Sequence, residues 1–421
     1  MAKYNERILV VGTTRDYIDH IRDRMPGEAI FLTDPPAVAS FSPPVPKTEE
    51  IVCALWDLKT VRDNLTSFLR RHRLSLSGIT CFDCESLYTA AAIAEEWDLP
   101  FPSTHAVIRC RDKLRSKQLW ASSGIACPRV AKVSSPGDIR DFMKKTGGSV
   151  VLKPRSGSGS ELTFRCDSED MADPCYRIVL KRLRERTADP LFFLQTREGA
   201  PVICEEFIPG EEYSCDLFFD GKHATLLRLA KKYFLKELPI GTAVAYEIPS
   251  QFPPTLSRGG FLRQLEKAAG SLDLSASLCM ADLVIRNGKP YLLELSPRLG
   301  GDCLPSMIEA SCGVDMLRVA MEFAEGTMPD LPKEPAWNHV IGVRFHAKKS
   351  GVLQAITPAL EEWKTNIYSQ LWIRNPGDKI DLPPQDYRSW LLGHVIFSPK
   401  PDLEIAQQIE LLMQSVKVDI C

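Results

Sequence analysis

The segment from Tyr291 to Leu304, YLLELSPRLGGDCL, constrains the fold more than any other stretch of the chain. Four apolar residues flank one glutamate, and a proline, an arginine and two glycines follow at once. YLLEL has the pattern of a buried strand, and such a strand tolerates Glu294 only if something neutralises it. A strand-like run from Met280 precedes it, with Asn287-Gly288 between the two as a hairpin signal. If Leu283 and Ile285 share a core face with Leu293 and Leu295, Asp282 and Glu294 stand together on the opposite face. Two facing carboxylates repel unless a cation lies between them. Hard oxygen donors without histidine or cysteine suit Mg²⁺, which takes one or two carboxylates and completes its shell from water and phosphates. A plain two-residue turn would instead pair Asp282 with Leu293. This register therefore requires a longer loop of three residues, with Gly288 or its neighbour in a bulge. The competing reading is a half-exposed hairpin with two solvated acids.

The rest of the chain reads as an α/β protein. RILVVG (Arg7 to Gly12) is a first strand, and no GxGxxG follows it, so a dinucleotide fingerprint is absent. Residues 35–46 form a proline-rich loop. Ile51 to Trp56 and GITCFD are further strands, separated by a helical pattern that runs to about Arg73. ESLYTAAAIAEEW is a helix closed by Pro100. Strands alternating with helices over the first ~105 residues imply an open parallel sheet. RDKLRSKQLWASSG then reads as one basic helix stopped by Gly124. GGSVVLKPRSGSGSE is a strand running into a loop. PVICEEFIPGEEYSCDLFFDG is a strand that continues as a hairpin-like pair. GVRFHAK and HVIFSP are late strands, and DLEIAQQIELLMQSV is a closing helix. Three units are expected: an N-terminal α/β domain at 1–108, an α+β unit at 109–330 with a lid at about 130–207, and a C-terminal α+β subdomain at 331–421.

Several short stretches carry chemistry. In Ser156-Gly157-Ser158-Gly159-Ser160 the glycines let backbone N–H groups converge on phosphate oxygens. Lys153 stands at the strand end before this loop, where its ammonium reaches a phosphate, although the spacing is not that of a Walker A motif. A flexible surface loop is the plain alternative. CEEFIPGEEYS places four carboxylates within eight residues. A solvated acidic hairpin is the ordinary reading of such a run. Against it, the apolar Phe207 and Ile208 half-bury the segment, so its backbone can meet an adenine while a carboxylate accepts from ribose hydroxyls. Arg298 adds a fork suited to phosphate.

Composition closes off other classes. A net charge of −2 gives no electrostatic basis for binding nucleic acid. No apolar run approaches the roughly 20 residues that span a bilayer. The N-terminus lacks a signal-peptide apolar core, so the thirteen cysteines read as reduced thiols in a cytoplasmic protein. Cys81 and Cys84 form a lone CxxC, for which the bland reading outweighs zinc.

Together these features form an ordered series that resembles the ATP-grasp superfamily over roughly Arg7 to Gly326. The match is most similar to its biotin carboxylase-like and L-amino acid ligase branches. RDKLRSKQLWASSG looks like the family's DK-containing helix, with Lys113 as a phosphate lysine. Lys153 and Ser156 to Ser160 look like its second phosphate lysine and glycine loop. Glu205, Glu206, Phe207 and Ile208 look like the adenine hinge, and Glu212 like the ribose carboxylate. Asp282, Glu294 and Arg298 look like the metal pair and its trailing arginine. Ser296 stands where the family carries the asparagine of EXN. Lys231 or its neighbour Lys232 is a further phosphate or catalytic candidate.

The resemblance implies ATP and one or two Mg²⁺ ions as cofactors, with Mn²⁺ an admissible substitute. It implies small-molecule carboxylate and amine substrates, no nucleic acid and no membrane, and it leaves room for a homodimer. The implied reaction phosphorylates a carboxylate to an acyl phosphate and couples it to an amine, giving an amide or dipeptide. The glycine loop is then expected to be a mobile lid that orders over ATP. Two rivals stand beside this reading: a bicarbonate-activating carboxylase or carbamoyl-phosphate-type enzyme, and a catalytically silent nucleotide-binding regulator.

Overall fold

The computed structural model describes residues 5–35, 44–186, 201–249, 252–254, 256–327 and 337–421. Most of the expected proline loop (36–43) and the expected boundary at 330 lie outside the described residues.

β1 (Asn5–Val11), β2 (Ala29–Thr33), β3 (Glu50–Val52) and β4 (Leu74–Cys81) form the expected parallel sheet, in the order β3-β2-β1-β4. Leu9, Val10 and Val11 are fully buried, as a parallel strand covered on both faces requires. Helices Arg15–Arg24 and Leu58–His72 are crossovers between its strands, and helix Leu87–Trp97, after β4, packs on it. Gly78 of β4 lies so close to helix Met316–Ala324 that a Cβ there would meet the Ala324 carbonyl at 2.2 Å. The absence of a side chain at Gly78 permits this docking.

β5 (Val130–Val133), β6 (Val150–Pro154), β7 (Phe164–Cys166) and β8 (Val202–Glu206) form an antiparallel sheet ordered β5-β8-β6-β7. Helices Pro136–Thr146 and Ala172–Glu185 pack on it around Ile139, Val179 and Leu183. The chain then passes through Phe207–Gly210 into a different sheet. β8 and the next strand, β9 (Glu211–Phe219), are thus not a hairpin. They flank a crossing between two sheets.

β9 is joined by β10 (Ala224–Phe234), β11 (Ala243–Ile248), β12 (Ser277–Arg286), β13 (Lys289–Ser296) and β14 (Val340–His346). The C-terminal part adds β15 (Gly351–Pro358), β16 (Ile367–Trp372), β17 (Lys379–Ile380), β18 (Leu391–Phe397) and β19 (Val416–Ile420). β14, β18 and β16 extend the large sheet, whose order is β13-β12-β9-β10-β11-β14-β18-β16, while β15, β17 and β19 form a small sheet of their own. One face of the large sheet packs on helix Arg258–Ser271 through Phe261 and Leu265. The other carries Leu304, Met307 and the N-terminal domain.

The hairpin departs from expectation in one respect. Arg286 pairs with Lys289, so Asn287 (φ 51°) and Gly288 (φ 71°) form a two-residue turn and not a three-residue loop. The extra residue is further along. Asp282 pairs with Glu294 while Leu283 pairs with Leu292, which leaves Leu293 bulged in β13. Leu292, and not Leu293, therefore joins Leu283, Ile285 and Leu295 in the core. The two carboxylates face one another as the apolar pattern demanded. The bulge, not the turn, sets the register.

A second departure concerns the expected single helix at RDKLRSKQLWASSG. One helix ends at Arg111 and another begins at Lys113, with Asp112 between them accepting from the backbone N–H groups of Leu114 and Arg115. An aspartate at an N-cap satisfies orphan donors and starts a new helix axis.

Candidate active site

The site lies where the four-stranded antiparallel sheet, the large sheet and helix Lys113–Ser122 converge. Its wall includes Lys113, Lys153, Glu205, Glu206, Phe207, Ile208, Glu212, Lys232, Asp282 and Glu294. Each side chain is placed by an ordinary local rule. Lys153 is near the end of β6, and Glu205 on β8 pairs with Val151, two residues before Lys153, so the two side chains share a face. Lys113 and Lys117 are four residues apart and share one helix face.

Glu205 is the electrostatic anchor. It is 2% exposed and takes Lys117 Nζ at 2.8 Å and Lys153 Nζ at 2.7 Å. Burial alone would raise its pKa, but the two ammonium groups outweigh that and hold it below the usual carboxylate range. Lys117 Nζ also donates to the Leu293 carbonyl at 2.7 Å, which ties the bulge to this helix. The start of the helix is pinned as well. Arg155 grips Asp112 with Nε at 2.8 Å and Nη2 at 2.5 Å, and the Lys113 amide donates to the Arg155 carbonyl.

Two carboxylates face the pocket from the hairpin, and the Ser296 hydroxyl lies behind one of them, outside the pocket wall. Lys232 Nζ meets Asp282 Oδ1 at 2.7 Å, and Lys113 Nζ lies 3.5 Å from Glu294 Oε2. Ser296 Oγ donates to Glu294 Oε1 at 3.4 Å. Burial would push Glu294 up, yet Lys113, Arg111, Lys153 and Lys117 bring it down to about 2. Burial lowers Lys113 to about 8, opposed by Glu294. Burial raises Glu212. Among the described residues no group of three His, Cys, Asp or Glu side chains could hold a metal by itself. The donor set of Asp282, Glu294 and Ser296 fits Mg²⁺, which draws the remainder of its shell from water and phosphate oxygens.

The glycine loop folds over this wall. Lys113 Nζ and Arg111 Nη1 donate to the Gly157 carbonyl at 2.7 and 3.2 Å. Gly157, Ser158 and Ser160 line the pocket, and Gly159 (φ 59°) turns the chain without lining it. Ser156 is buried, and its hydroxyl has no partner among the described residues. Ser160 donates to the Gly241 carbonyl at 3.2 Å. On the hinge, Glu206 pairs with Arg129 at 2.8 Å, and the Arg165 guanidinium stacks 3.9 Å from the centre of the Phe207 ring.

Two residues stand apart. Strand alternation turns Lys231 away from the pocket, to Glu211 Oε1 at 2.6 Å, so Lys232 is the lysine of LAKKYF that faces inward. Arg298 is outside the pocket wall. It donates from Nε to Cys84 Sγ at 3.0 Å and from Nη1 to the Leu299 carbonyl at 2.6 Å. Cys84 thus accepts from an arginine, and all thirteen cysteines are free. Lys117, Arg111, Asp112 and Arg155 went unassigned in the sequence. The four-residue spacing of Lys113 and Lys117 was a readable signal for Lys117. Nothing local marks Arg155.

A four-stranded sheet facing a large antiparallel sheet, with lysines and two carboxylates between them, is the layout of the ATP-grasp fold. Residues 110–302, a little under half of the chain, match the ATP-grasp domain family. The chain is similar to the D-alanine–D-alanine ligase of Cupriavidus metallidurans, at 26% identity over 267 residues, 59% of this chain and 74% of that one. The corresponding ligase of Delftia acidovorans is 27% identical over 230 residues, 51% of this chain and 63% of that one. Among solved structures, an L-amino acid ligase from Bacillus licheniformis superposes with a TM-score of 0.77 at 17% identity, covering 100% of both chains. Biotin carboxylase from Campylobacter jejuni gives 0.69 at 14% identity, covering 99% of this chain and 92% of that one.

Proposed function

We propose that this chain is an ATP-dependent ligase that joins a carboxylate to an amine. One carboxylate oxygen of the acid takes the γ-phosphoryl group and ADP leaves. The amine nitrogen then attacks the acyl carbon, phosphate leaves, and the amine proton passes to solvent. The observation that carries this reading is the facing pair Asp282 and Glu294, set against Lys113 and Lys232 in one pocket under a glycine loop. Mg²⁺ held by Asp282 and Glu294, with Ser296 beside them, would neutralise charge on the transferring phosphoryl group. Whether one ion or two is bound turns on Ser296.

The chain's own groups supply the remainder. Lys113 and Lys153 hold phosphates, Glu212 receives the ribose, and Phe207 with Ile208 flanks the base. Arg298 serves the transferred phosphoryl group from the pocket's edge once it releases Cys84. The substrates are small molecules, and amino acids are the first to test, since three of the four proteins named above are amino-acid ligases. A cytoplasmic setting accords with the free thiols, and among the described residues no helix is long and apolar enough to cross a membrane. A homodimer belongs to the same reading.

The test is ADP release from ATP and Mg²⁺ against a panel of amino acids, other carboxylates and bicarbonate, with and without an amine. Amine-dependent turnover of an organic acid is expected. Turnover with bicarbonate alone would favour a carboxylase, and tight ATP binding without turnover would favour a silent regulator.

A further inference from the structure

The C-terminal part of the chain reaches back to the glycine loop, and the contacts are specific. Glu161, directly after the loop, lines the nucleotide pocket and is 7% exposed. Its Oε2 accepts from Arg186 Nη1 at 2.5 Å. The same guanidinium donates from Nη2 to the Gln385 carbonyl at 3.2 Å. Two residues further on, Tyr387 packs against the lid core with its hydroxyl near the Leu162 backbone. Its neighbour Arg388 lies 3.7 Å from Glu85 of the N-terminal domain. A short segment thus touches the lid on one side and the N-terminal domain on the other.

The loop needs such support. Ser160 (φ 58°) and Leu162 (φ 54°) both adopt the left-handed region, which is costly for residues with a Cβ and persists only where the surroundings over-determine it. For a leucine, whose side chain is long and apolar, the conformation is a clear outlier. Leu162 is fully buried in the lid core, so its strained backbone is held by packing below and by Tyr387 above.

We propose that Gln385 to Tyr387, acting with Arg186, form a brace that fixes Ser160 to Leu162 over the nucleotide pocket. Tyr387 and Arg186 are positioning residues, acting on the site through the loop and through Glu161. The proposal rests on the ligase reading for its functional consequence. A braced loop keeps water from an acyl phosphate until the amine arrives, and a loosened one lets hydrolysis compete.

Two readouts test it on the full chain. The first is the ratio of ADP released to amide formed, for wild type, Tyr387→Phe, Tyr387→Ala and Arg186→Gln. The ratio is expected near one for wild type and about fivefold higher in Tyr387→Ala and Arg186→Gln, with Tyr387→Phe between, since it keeps the packing and loses the hydroxyl. A merely structural contact would lower the melting temperature and leave this ratio at one. The second readout is amide hydrogen exchange at Ser158 to Leu162 with a non-hydrolysable ATP analogue bound, which does not depend on turnover. Exchange about tenfold faster in either variant is expected, as for loss of a local closing contact. Unchanged exchange in both variants would overturn the brace even if no ligase activity were found. Faster exchange with no turnover in wild type would sustain the brace and sink the ligase reading instead. If Tyr387→Ala does not fold, Arg186→Gln, on a partly exposed side chain, carries both measurements.

Discussion

Asp282 and Glu294 stand opposite one another in the β12–β13 ladder because Leu293 is bulged between them and the turn. Without that extra residue the two-residue turn at Asn287-Gly288 would put Leu293 opposite Asp282 and send Glu294 to the core face. Lys117, donating to the Leu293 carbonyl, fastens the bulge to the helix that also presents Lys113.

Glu294→Gln should abolish ADP formation and leave the melting temperature within a few degrees of wild type, because it removes a metal-binding charge and little packing. Asp282→Asn should act in the same direction and more mildly. Steady-state kinetics with a Mg²⁺ titration measures both. Full activity of Glu294→Gln at saturating Mg²⁺ would remove the pair from the mechanism.

Lys153→Ala should weaken ATP binding by about 1–3 kcal/mol, the scale of a lost charge-assisted contact. Lys232→Ala should weaken it or lower kcat, whereas Lys231→Ala should change either by less than about twofold, since its pair with Glu211 is largely solvated. Calorimetry on the three variants separates them. An effect of Lys231→Ala as large as that of Lys232→Ala would contradict the alternation seen in β10.

The pH dependence follows from Lys113 and Glu294. Burial brings Lys113 to about 8, so it is cationic below that pH and loses its charge above it. Glu294 sits near 2 and stays ionised throughout the working range. ATP affinity should therefore hold from neutral pH to about 8 and fall beyond it. Lys113→Met should bind more weakly and show no such fall. A wild-type affinity flat to pH 10 would exclude Lys113 as a phosphate contact.

Amides of the glycine loop should exchange more slowly once nucleotide and Mg²⁺ are added, in proportion to how far the brace leaves Ser156 to Gly159 free in their absence. Equal exchange in the two states would mean that the loop is already fully closed without nucleotide.

Asp216 and Arg228 form a buried pair, with Nε to Oδ2 at 2.7 Å, and Asp216 Oδ1 also accepts from the Gly300 amide at 2.8 Å. Asp216→Ala strands a guanidinium in the core, at a cost of roughly 3–5 kcal/mol. It also frees the turn that carries Arg298. Urea denaturation should show the loss. A change under about 1 kcal/mol would mean that solvent or a shifted side chain replaces the carboxylate.

The sequence by itself determined most of the strands and most of the residues that line the pocket. Short apolar runs marked β1, β4, β12 and β13, and alternation within the hairpin put Asp282 and Glu294 on one face before any register was known. Serine–glycine alternation after Lys153 marked the loop. These signals are local, because side-chain direction in a strand or helix follows from spacing alone. What only the tertiary structure decided depends on partners far along the chain. Leu293 bulges because its carbonyl meets Lys117. Asp112 breaks a continuous helical pattern because Arg155 grips it. Arg298 rests on Cys84, 214 residues away, and Tyr387 braces a loop in the lid. None of these has a period or a motif, since each depends on distant segments of the chain being packed together and not on the order in which residues occur.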